Sequence, residues 1–169
     1  MNRNVLLHLL IVGALALISM IGFDLFLHAG VLAPLYASPS PFLLAPEEAF
    51  RRIPLGYLSF AILTVLIAWI MYKLRLQGWR RGLVFGLAFG ALTWGSFVLG
   101  LLSISAASPT LLIGWFMGQT AELGIGGLVV GSGLATDRLR RLLFRVVIFF
   151  GVTVVLAIVL QNVQSFATH

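Results

Sequence analysis

Few residues in this chain could do chemistry, and the most conspicuous is an acid in an apolar run. Glu122 lies within Trp115-Phe116-Met117-Gly118-Gln119-Thr120-Ala121-Glu122-Leu123-Gly124-Ile125-Gly126-Gly127. Helical spacing puts Gly118, Glu122 and Gly126 on one row, Gln119 a turn before Glu122 and Trp115 two turns before it. A carboxyl turned toward lipid would be very unfavourable, so this row is expected to face other helices. Thr93, Trp94 and Ser96 of the preceding apolar run are expected donors to it. Two readings of Glu122 stand. It is a proton or cation site, or an anchor for a small-molecule ligand, supported by Gln119 and Trp115. Alternatively it is a neutral acid that only stitches helices together.

Asp24 and His28 form a second candidate. They are four residues apart in the first apolar run, and so on one helix face. The pair reads as a local ion pair, with Arg51 or Arg52 as other partners for Asp24, or as an outer polar site relaying protons through the imidazole. Two ligands on one helix, even with Glu47 or Glu48 nearby, are a weak metal signal, so no metal and no cofactor is expected. The sequence places Asp24 and His28 at a different depth from Glu122. His8 is expected at an interface, without a special role. Tyr36, Tyr57, Tyr72, Trp79, Trp94 and Trp115 include interface anchors, Tyr72 and Trp79 above all.

The elements that carry these residues are set by composition. Hydrophobic residues make up 60% of the chain and charged ones 9%, with a mean hydropathy of +1.08. So little charge cannot cover a water-soluble surface, and the bilayer is the expected solvent. Five runs are long enough to span it, at about 5–27, 55–72, 82–102, 110–134 and 143–160. None alternates polar with apolar residues, so helices are expected, not barrel strands. The expected fold is all-α, a single transmembrane domain over residues 1–169 built as a five-helix bundle.

Orientation follows from the basic residues. With five spans, Arg3, Lys73, Arg75, Arg80, Arg81, Arg138, Arg140, Arg141 and Arg145 share one side, and only Arg51 and Arg52 fall on the other. This asymmetry predicts a cytoplasmic N-terminus and an outside C-terminus. The first run is long and no clear small-x-small site ends it before Asp24, so it is expected to be a span, not a cleaved leader. The net charge of +6 serves topology and lipid contact, and no nucleic-acid partner is expected. With no cysteine, thiol catalysis and thiolate metal sites are excluded.

The loop from about 28 to 54 holds Pro34, Pro39, Pro41, Pro46 and Pro54. Its first half is expected to be extended or turned, followed by a short surface helix over residues 45–52. There Glu47–Arg51 and Glu48–Arg52 would pair at helical spacing. The connection from Ser103 to Pro109 is short, so the spans it joins should be antiparallel neighbours. Gly82, Gly86 and Gly90 make one stripe. With Gly114, Gly118, Gly124, Gly126, Gly127, Gly131 and Gly133 of the next span, they predict close helix packing, within the chain, in a homodimer or against a partner membrane protein.

No P-loop, His-Glu-x-x-His, Gly-x-Ser-x-Gly or Gly-x-Gly-x-x-Gly pattern occurs. An enzyme is therefore unsupported, and an intramembrane lipid-modifying activity using Asp24 and His28 is a minor reading. The leading expectation is a membrane protein that binds or conducts a small solute or a proton at a buried polar site. The alternative is a structural or accessory subunit packing through its glycine stripes.

The order Gly22-Phe23-Asp24-Leu25-Phe26, Ala33-Pro34-Leu35-Tyr36, Arg81-Gly82-Leu83-Val84-Phe85-Gly86 and Glu122-Leu123-Gly124-Ile125-Gly126-Gly127 resembles small uncharacterised bacterial inner-membrane proteins. The resemblance spans about residues 6–134 and implies a multi-pass protein of the bacterial inner membrane, with no particular activity. In length and span count the chain is also similar to the translocator-protein family of tryptophan-rich sensory proteins. The expected tryptophans of their first loop are missing between His28 and Pro54, so that family is set aside.

Overall fold

A computed structural model describes residues 3–37, 40–136 and 138–167. The described residues form helices and no strands. They are α1 (Arg3–Phe26), a π-helical turn (Leu27–Val31), α2 (Ala33–Ala37), α3 (Pro46–Lys73), α4 (Trp79–Ile104), α5 (Pro109–Leu134) and α6 (Leu139–Ala167).

Four helical segments are long and apolar enough to cross a membrane: Arg3–Val31, Pro46–Lys73, Trp79–Ile104 and Leu139–Phe166. At most a third of each is buried in the protein, so their Leu, Ile, Val and Phe side chains face outward, as lipid permits. The expected fifth, α5, is 26 residues long but less apolar, because glycines, Gln119 and Glu122 displace aliphatic residues. It is the central helix, with buried residues along its whole length, from Leu111 to Gly133.

The α4–α5 pairing is the most extensive in the bundle, as the short connection required. Ser108 caps α5 by accepting the Leu111 N–H at 3.1 Å, and Pro109 follows at its first turn. The α4 stripe lies directly on the α5 backbone. A Cβ at Gly82 would come within 2.1 Å of the Gly127 carbonyl oxygen, one at Gly86 within 2.1 Å of the Leu123 oxygen, and one at Gly90 within 2.9 Å of Thr120 Cα. The Gly78 N–H donates to the Gly131 carbonyl at 2.8 Å, where Gly78 holds a φ of 93° that favours glycine.

On its other side α5 packs against α1. Val12 fits at Gly133, Met20 at Gly126, Leu27 at Gly118 and Leu32 at Gly114. His8 Nε2 lies 3.0 Å from the Gly133 carbonyl, so this histidine does make a specific contact. At the opposite end the Gln164 amide donates to the Gly30 carbonyl at 2.9 Å, tying α6 to the π turn. The starts of α1, α4 and α6 therefore gather at one end of the bundle, with the basic loops. The main core lies on that side of the centre and includes Val12, Met20, Ile67, Met71, Leu123 and Val130.

Two expected features of the 28–54 loop are corrected. Residues 27–31 prolong the first helix as a π turn and residues 33–37 coil into α2, which contains Pro34, so the start of the loop is not extended. Pro39 lies outside the described residues. The short surface helix and the second span are one helix, because α3 runs through Pro54. Pro54 removes one backbone bond, and α3 continues through it nonetheless. Pro46 and the two acids do open the helix, and Arg52 pairs with Glu48. The companion Glu47–Arg51 pair is not formed.

Candidate functional site

The α1–α5 register decides where the acids fall. Met20 meets Gly126 and Leu27 meets Gly118, so Asp24, midway between Met20 and Leu27, stands level with Glu122, midway between Gly118 and Gly126. The sequence placed them at different depths, and here that expectation is overturned. One ligand-capable atom each from Asp24, His28 and Glu122 lies within 4.8 Å of the other two. Asp24 Oδ1 and His28 Nε2 are 3.4 Å apart.

Glu122 is 0% exposed, and neither carboxyl oxygen has a hydrogen-bond partner among the described residues. The donors expected from α4 are not there. Thr93 Oγ1 donates back to the Phe89 and Gly90 carbonyls, Trp94 packs edge-on against Phe97, and Ser96 is exposed. The reason is helical geometry. The face of α5 that meets α4 carries Thr120, Leu123, Gly124, Gly127 and Gly131, whereas Gly118, Glu122 and Gly126 face α1. Asp24 pairs with neither arginine of α3, and Glu47 and Glu48 are exposed at the start of α3.

A polar chain leads outward from the cluster. The indole N–H of Trp115 donates to Tyr36 Oη at 2.6 Å, and that oxygen lies 2.5 Å from His28 Nδ1. Gln119 Nε2 is 3.3 Å from His28 Nε2, and Gln119 Oε1 is buried without a partner. Trp115 therefore reaches the site through Tyr36 and His28, and Gln119 lies beside both His28 and Glu122. Tyr36 was legible in the sequence only as an interface anchor. The π turn and α2 fold the chain back on itself, bringing the tyrosine and histidine rings together at a tilt of 31° with centroids 5.7 Å apart. A π turn inside an α-helix frequently accompanies a functional site, but no sequence pattern announced this one.

Burial pushes the Tyr36 phenol up to about 12, against the opposing effect of the Trp115 hydrogen bond. Tyr36 therefore stays neutral at physiological pH. Outside it, Phe42 packs on Trp115 with centroids 6.1 Å apart, and Val98, Ala107 and Leu112 form a small apolar cluster around them. The arrangement sets the fully buried carboxyl of Glu122 beside the partly buried Asp24 and His28, with aromatic rings between them and the end of the bundle away from the basic loops. Such a set can take up a proton or a cation.

The packing glycines are all spent inside the chain: Gly82, Gly86 and Gly90 on α5, Gly126 on α1 and Gly118 on Leu27 of the π turn. Comparisons with protein-family models, with curated proteins and with solved structures found no match.

Proposed function

We propose that this chain is an integral membrane protein that binds a small cation, a proton or a metal ion, at the cluster of Asp24, His28 and Glu122. One observation carries the reading. Glu122 is fully buried with both oxygens unpartnered and shares a 4.8 Å cluster with a second carboxyl and an imidazole. A residue that merely stitched helices would have a donor or acceptor across the interface, because an unsatisfied buried polar group is costly. A small cation supplies the missing partner. The accessory-subunit reading drew on free glycine stripes, and these are occupied within the chain.

In this reading all five long helices cross the bilayer, with the N-terminus cytoplasmic. The antiparallel packing of α5 between α1 and α4 supports its crossing, since it runs their length. The resemblance to small bacterial inner-membrane proteins supports that membrane as the location. The topology is testable in a chain without cysteine. In intact cells, an impermeant thiol reagent is expected to label Leu44→Cys and to spare Gln77→Cys until the membrane is opened. Equal labelling of both would contradict the topology.

Cation binding stabilises the state that binds. Thermal unfolding of the purified protein is expected to respond to pH or to one of a panel of mono- and divalent cations, and Glu122→Gln is expected to remove the response. Identical profiles for the two proteins would refute the reading.

A further inference from the structure

We infer that the ion held by this cluster is a divalent transition metal, with a carboxylate oxygen of Asp24, a ring nitrogen of His28 and a carboxylate oxygen of Glu122 as its protein ligands. This rests on the cation-site reading above and specifies its chemistry. Ligands bound tetrahedrally at 2.0–2.2 Å from an ion stand about 3.4 Å from each other. Asp24 Oδ1 and His28 Nε2 are already 3.4 Å apart, and no pair in the cluster exceeds 4.8 Å. Closing on an ion therefore takes side-chain adjustment of about an ångström, with α1 and α5 held in register by Met20 on Gly126 and Leu27 on Gly118.

The ligand set selects among cations. Sodium, magnesium and calcium prefer oxygen-only sites, whereas imidazole favours zinc, iron and their neighbours. Without cysteine, there is no thiolate for cuprous ion. One nitrogen and two carboxylates suit an ion of intermediate hardness such as Zn2+, Fe2+ or Mn2+. Charge points the same way. The ion pairs among the described residues are Asp24–His28 and Glu48–Arg52, so no lysine or arginine neutralises the carboxyls of partly buried Asp24 and buried Glu122. A dication neutralises both, whereas a single proton leaves one of them charged or an oxygen unpartnered.

The surroundings of His28 fit the role. A metal-bound imidazole usually donates its other ring N–H to a fixed acceptor. Tyr36 Oη stands 2.5 Å from Nδ1 and is itself held by the Trp115 N–H. With Nδ1 protonated, Nε2 carries the lone pair, 3.4 Å from Asp24 Oδ1 and 3.3 Å from the Gln119 amide nitrogen. Gln119, whose Oε1 is buried and unpartnered, is the next oxygen donor beside the imidazole.

The test uses the full chain without a histidine tag, purified in detergent, stripped with chelator and titrated with Zn2+ and Mn2+ by calorimetry and chelator competition. One ion per chain is expected. Glu122→Gln and His28→Gln should each weaken binding roughly a hundred-fold, while Glu48→Gln and His8→Gln leave it unchanged. The metal-free melting curves of the variants verify that each is folded, and Asp24→Asn supplies a third ligand variant if either fails. No divalent binding by the wild type, or binding that is indifferent to Glu122 and His28, overturns the metal assignment. If protons or sodium then stabilise the wild type in a Glu122-dependent way, the cation reading survives without the metal. If no cation response depends on Glu122, both fall.

Discussion

Gly86→Ala measures how closely α4 and α5 approach. The new Cβ would lie 2.1 Å from the Leu123 carbonyl oxygen, 2.9 Å from Leu123 C and 2.9 Å from Gly124 Cα. Ordinary contact needs about 3.5 Å, so the helices must part by about 1.4 Å along that line. All three atoms are backbone, and no rotamer change relieves them. A gap of 0.5–1 Å already forfeits about a quarter to a half of each dispersion contact, and packing is what holds membrane helices together. Overpacking costs about 1–3 kcal/mol, and the rigid surroundings place Gly86 at the top of that range. Helix propensity returns up to ~1 kcal/mol. The net loss is about 2 kcal/mol, or roughly thirty-fold in the unfolding constant. Reversible unfolding in mixed micelles, followed by tryptophan fluorescence, reads this directly. Gly100→Ala is the control, because a Cβ there meets nothing within 4 Å, and it should be neutral or stabilising by up to ~1 kcal/mol. Equal stability of the two variants would refute the close approach.

Other perturbations reach the cap and the second layer of the site. Ser108→Ala should cost about 1 kcal/mol in the same unfolding assay, through loss of the hydrogen bond to the Leu111 N–H. Tyr36→Phe keeps the ring but frees His28 Nδ1 and the Trp115 N–H. It should weaken cation binding by about ten-fold with little change in fold, as measured by calorimetry and circular dichroism. Ultraviolet titration of the tyrosines should show one phenol, absent from Tyr36→Phe, that ionises only near pH 12. The unfolded chain loses that proton first, near the ordinary phenol value of about 10, so Tyr36 contributes stability below pH 10 that is lost as pH rises from there toward 12.

The helices were readable because each run is long, apolar and bounded by basic or proline-containing segments. The row of Gly118, Glu122 and Gly126 was readable as helix-facing, because neither glycine nor a carboxyl suits lipid. Its meeting with Asp24 was not. The offset between two antiparallel helices is set by which side chain fills which notch, here Leu27 at Gly118 and Met20 at Gly126, and no periodicity in one helix reports that. Pro54 misled because proline usually ends a helix, whereas α3 continues through it. Tyr36 and the π turn escaped for a related reason. A single extra residue in a turn leaves no hydrophobic pattern, and a tyrosine near a membrane edge is ordinarily an anchor.

Everything proposed for the site depends on Asp24 and Glu122 facing each other across α1 and α5. In this cysteine-free chain the double variant Asp24→Cys/Glu122→Cys tests that contact with a short bifunctional thiol reagent. Intact-protein mass spectrometry should find one bridge and no free thiol, whereas Asp24→Cys/Ser96→Cys, with Ser96 exposed on α4, should take up two separate reagents. No bridge in the first pair, or equal bridging in both, would contradict the shared site.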